Sequence, residues 1–60
     1  MQAEERARAR FPAAWNLERS GKISAALDYY TEIARDAPES EEGRRAAERI
    51  AALNPAPKAP

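Results

Sequence analysis

The sequence has no cysteine and no histidine, so it offers no disulfide, no thiolate or imidazole metal ligand and no imidazole base. Only two glycines are present, and no glycine-rich loop of the phosphate-cradling kind. An excess of one charge is missing too: ten basic and ten acidic residues cancel, leaving no overall field toward nucleic acid or anionic lipid. Apolar runs are short and broken by charge, which excludes a transmembrane helix of the usual length. The opening residues, MQAEE, lack the apolar stretch of a signal peptide. As written, the chain is expected to stay in the cytoplasm; excision from a longer chain would leave an envelope or periplasmic site open.

Sixty residues make one small domain, near the limit of what folds without staples. What is abundant is Ala, Glu and Arg, with few β-branched residues and no alternation of period two, so the expected class is all-α. Ser20-Gly21 reads as the close of a first helix, because glycine takes the positive φ wanted there. Ser24 is expected to cap a second helix. Its apolar stripe is Ile23, Ala26, Leu27, Tyr30, Ile33, Ala34 and Ala37, and Pro38 stops it. A third helix is expected from Ser40 to Leu53, with Glu41 near its positive end and paired to Arg45. Gly43, Ala46, Ala47, Ile50 and Leu53 form its inward face, and Asn54 its closing cap. Residues 54–60, NPAPKAP, hold three prolines and are expected to be extended. The helices therefore fall at about 3–19, 24–37 and 40–53, within a module of residues 1–53.

The first helix has two readings. Either it runs from about residue 3 with a kink at Pro12, or Pro12 sits in its first turn and residues 1–10 fray. Glu4→Arg8 spacing and the side shared by Ala3, Ala7, Phe11, Ala14 and Trp15 suit the continuous helix.

Gly21, Ala26, Tyr30 and Pro38 stand at the spacing of a tetratricopeptide repeat, and "NLERSGKISAALDYYTEIARDAPES" resembles part of one such unit. "SEEGRRAAERIAAL" is similar to the helix that opens a following repeat or caps an array. The spacing looks closest to the subgroup found in bacterial envelope-assembly proteins. Arg10, Pro12, Ile33 and Gly43 depart from the family pattern; Gly43 stands where the family usually has alanine. The resemblance implies a helix-turn-helix hairpin plus a third helix, and an adaptor or scaffold role. It also implies a concave groove in which Arg8, Phe11, Trp15, Glu18 and Arg19 sit together.

Catalysis finds no support. The acids lie on solvated helix faces rather than in a dry cleft, and Lys22 beside Ser24 reads as a turn lysine next to a cap. Asp28, Glu32 and Asp36 form an i, i+4, i+8 row, but a hard cation needs about six or more oxygens wrapped around it. Arg6, Arg8 and Arg10 fan around a helix, while Arg44, Arg45 and Arg49 are interleaved with Glu41, Glu42 and Glu48, so nucleic-acid binding is not expected. No cofactor, metal or small-molecule substrate is implied. Tyr30 belongs to the core stripe, and Tyr29 points about a quarter-turn away.

Phe11 and Trp15 have two readings as well. Both rings bend into a three-helix core, or they face outward and meet a partner. A chain this small and rich in alanine buries little area, which argues for contact with another molecule. The expected function is a protein–protein interaction module or adaptor that presents Phe11 and Trp15 to a helix or peptide. The alternative is a small structural subunit that self-associates or packs permanently in a larger complex.

Overall fold

The computed structural model describes residues 2–53, and among them there are three helices and no strand. These are α1 (Gln2–Arg19), α2 (Ile23–Asp36) and α3 (Glu41–Leu53). The proline-rich segment 54–60 and the Asn54 cap lie outside the described residues.

Gly21, with φ of +84°, turns the chain out of α1. Its N–H donates to the Glu18 carbonyl at 3.0 Å and the Lys22 N–H to the Leu17 carbonyl at 2.9 Å. That crossed pair satisfies two end carbonyls and lets α2 begin at once. The α2 cap position therefore falls on Lys22, whose side chain makes no capping bond. Ser24, expected as the cap, lies inside the first turn and is exposed. The closing turn of α1 uses so few residues that the helix starts before Ser24 is reached.

Capping by serine occurs at the other corner. Ser40 is buried; its Oγ accepts from the Gly43 N–H at 2.9 Å and donates to the Ala37 carbonyl at 2.8 Å. One side chain thus closes α2 and opens α3. Ser40→Ala should cost about 1 kcal/mol, the usual size of a lost N-cap, read as a lower midpoint in denaturant. Ser24→Ala should change the midpoint little.

α1 continues through Pro12 without a break. The missing N–H would have bonded the Arg8 carbonyl. Both residues are exposed, where water is at hand as a substitute donor.

α1 and α2 are antiparallel, as the ion pairs show: Arg6 meets Asp36 at 3.0 Å, while Arg10 reaches Glu32 at 3.5 Å. α1 and α3 run in the same direction, because Arg8 approaches Glu42 at 3.8 Å and Arg49 pairs with Glu18 further along both. The buried core is Ala7 and Ala14 from α1, Ala26, Tyr30 and Ile33 from α2, Ala37 after it, and Ala46 from α3. Alanines let the helix backbones approach closely, but among the described residues only Tyr30 and Ile33 are large and fully enclosed. Ala47, expected on the inward face of α3, is exposed; Gly43 and Ala46 define the contact line and Ala47 lies round the helix from it. Glu41 and Arg45 pair at 2.9 Å.

Candidate functional site

The parallel arrangement of α1 and α3 opens a groove between them. It is lined by Phe11, Pro12 and Trp15 on one side and Arg45, Glu48 and Arg49 on the other, with a volume of about 550 Å³. The two aromatics play different parts. Phe11 is half-buried and meets Tyr30 edge-on, with ring centroids 5.5 Å apart, so it forms the groove floor and touches the core. Edge-on aromatic pairs of this kind are favourable beyond their buried area. Trp15, one turn on, is 42% exposed. Tyr29 is also exposed but does not line this groove.

Below the groove three helices share one polar cluster. Glu18 on α1 accepts from the Tyr30 hydroxyl at 2.8 Å and from Arg49 Nε at 3.3 Å, and Arg49 Nη2 holds its second oxygen. The Glu18 side chain is only 13% exposed. The Arg49 hydrogen bond holds its carboxyl below the ordinary range; burial works the other way, and the Tyr30 hydroxyl adds to the lowering. Burial, followed by the Glu18 contact, pushes the Tyr30 phenol up to about 12. At the far end of the hairpin, hydrogen bonding from Arg6, against some burial, lowers the Asp36 carboxyl, and the charges of Arg6 and Arg10 assist.

Both carboxyls titrate lower in the folded chain than in the unfolded one. Their contribution to stability is therefore present above the unfolded values, about 4, and is lost as pH falls through the folded ones. The melting temperature should hold from neutral pH to about 5 and drop below about 4. Glu18→Gln should flatten part of that drop, and an unchanged acid profile would remove Glu18 from the explanation.

The five residues anticipated together are divided by the fold. Phe11 and Trp15 line the groove. Glu18 is not a free rim charge: Tyr30 and Arg49 occupy both its oxygens. Arg8 is well exposed and only loosely paired with Glu42. Arg19 is exposed at the last position of α1. Pro12, Arg45, Glu48 and Arg49 belong to the groove but were not expected in it. The available signal was the i, i+3, i+4 spacing of 45, 48 and 49 beside Ala46, which places them on one face of α3.

Of the acid row, Glu32 and Asp36 are engaged by Arg10 and Arg6. No group of acids among the described residues is arranged to hold a metal ion. No described helix is long and apolar enough to cross a membrane. No protein-family model, no curated protein and no solved structure matches the chain.

Proposed function

We propose that this chain is a tetratricopeptide-like helical module that binds another protein through the α1–α3 groove. The supporting observation is Trp15: a large aromatic, 42% exposed, standing over a groove floored by Phe11. Aromatic anchors of this type dominate binding energy when a partner buries them. The ordered helix–turn–helix hairpin followed by a third helix accords with the resemblance and with an adaptor role. Arg8 and Arg19 supply exposed charge toward either end of the surface. A helix or peptide ligand suits an open groove walled by side chains from two helices.

Selection of random peptides on the full chain tests this. Selected peptides should bind Trp15→Ala about thirtyfold more weakly, as for a hot-spot side chain contributing about 2 kcal/mol. Tyr29→Ala, an exposed aromatic outside the groove, should leave binding unchanged. Peptides that ignore the Trp15 substitution would contradict the proposal. A stable dimer with Trp15 sealed at its interface would favour the structural-subunit reading instead.

A further inference from the structure

We infer that the protein segment held in the α1–α3 groove carries a basic residue beside its apolar anchor, with the cation received by Glu48 and the indole of Trp15. The inference rests on reading the groove as a docking surface and names the chemistry of its partner. Phe11, Pro12 and Trp15 accept an apolar group, and Arg45, Glu48 and Arg49 form the facing charged wall. The charged wall is what discriminates among partners.

Both arginines of that wall are already engaged. Arg49 gives Nε and Nη2 to Glu18, whose side chain is only 13% exposed and also holds the Tyr30 hydroxyl. Drawing Arg49 to an outside carboxylate would strand Glu18 as a largely buried, unpaired charge, which is strongly unfavourable. Arg45 donates to Glu41 at 2.9 Å. In that pair the acid precedes the base by four residues, the better order on a helix. Arg8, outside the lining, faces Glu42 at 3.8 Å.

Glu48 differs. It is exposed, lines the groove and has no ion-pair partner among the described residues. Arg44 lies four residues before it, the weaker order for such a pair, and the two do not meet. Counted with their partners, the wall residues leave one uncompensated negative charge. Trp15 adds to the same preference, because an exposed indole attracts cations more strongly than the other aromatic rings do. A lysine or arginine next to a large apolar residue therefore satisfies both halves of the groove. An acidic segment would have to face Glu48 while competing with Glu18 and Glu41 for the arginines.

The random-peptide selection on the full chain tests this when the pool is sequenced before and after. Lysine and arginine should be enriched beside the apolar anchor. Replacing that basic residue by glutamate in a selected peptide should weaken binding to the parent chain about tenfold, and Glu48→Lys should recover it. Glu48→Gln, an exposed change that should leave the helical signal intact, should abolish the basic enrichment and keep the apolar one. No basic enrichment, or the same enrichment on Glu48→Gln, would overturn the inference while Trp15-dependent binding still stood. Enrichment of aspartate and glutamate would also overturn it, assigning recognition to Arg45 and Arg49. A selected pool that binds no better than unselected peptides would remove both this inference and the docking reading beneath it.

Discussion

Gly43→Ala is expected to loosen α3 from the hairpin, although alanine is the better helix former. A methyl group at this position would lie 1.8 Å from the Ala37 carbonyl oxygen and 2.8 Å from its carbon. Both atoms are backbone, so no side chain can swing aside. The Ala37 oxygen is also fixed in place, accepting from the Ser40 N–H at 3.1 Å and from its hydroxyl at 2.8 Å. Helix propensity gains about 1 kcal/mol from the substitution. Overpacking against rigid neighbours costs about 1–3 kcal/mol and occasionally more. Here the overlap is deep and the corner carries the Ser40 cap, so the loss should win by about 2 kcal/mol. A domain of this size rarely has more than about 3–5 kcal/mol in total. The expected observation is a lower melting temperature with faster amide exchange across α3 than across α1. A variant that melts at or above the parent temperature would show that the two helices do not meet as closely as described.

Tyr30→Ala is expected to unfold the chain. Tyr30 and Ile33 are the only large side chains fully enclosed among the described residues, so the ring supplies a large share of the enclosed apolar core. Large aromatic-to-alanine changes in cores cost about 3–5 kcal/mol, comparable with all the stability such a chain holds. Tyr30 also supports Phe11 by edge contact and gives its hydroxyl to Glu18. Tyr30→Phe separates these parts. It keeps the ring and removes a hydrogen bond to a charged group, a loss of about 1.5–3 kcal/mol. The phenylalanine variant should remain folded with a reduced melting temperature, and the alanine variant should lose most helical signal at 25 °C. Equal loss from both would place the contribution in the hydroxyl rather than the ring.

Much of this architecture was legible in the residues because helices are written in near-neighbour spacing. The stripe through Ala26, Tyr30 and Ile33 is buried as its period requires, and Glu41 meets Arg45 one turn on. Gly21 closes α1 by the only backbone route that favours glycine. What near-neighbour rules could not supply was contact between distant segments. Glu18 and Arg49 are 31 positions apart, and nothing local to either announces the pair. The choice between Ser24 and Ser40 as a cap depended on how few residues the Gly21 turn consumed. Gly43 looked like a departure from a pattern; its reason is a carbonyl six residues earlier, brought close by the Pro38 corner. For the groove, α1 supplied Phe11 and Trp15 to the reader, but the facing wall of Arg45, Glu48 and Arg49 required knowing that α1 and α3 run parallel.

The two aromatics also show why exposure must be measured residue by residue. They are one turn apart, yet Phe11 leans on Tyr30 while Trp15 stands clear of the core. A single label of core or surface would misdescribe the pair.

The most direct test is the thermal melt of Trp15→Ala, followed by circular dichroism beside the parent chain and Tyr30→Ala. If Trp15 serves a partner rather than the core, its removal should leave the helical signal intact. It should also shift the midpoint by no more than about 4–8 °C, the equivalent of about 1 kcal/mol at this size. A loss of helix as complete as that of Tyr30→Ala would make Trp15 a core residue and contradict the groove as the working surface.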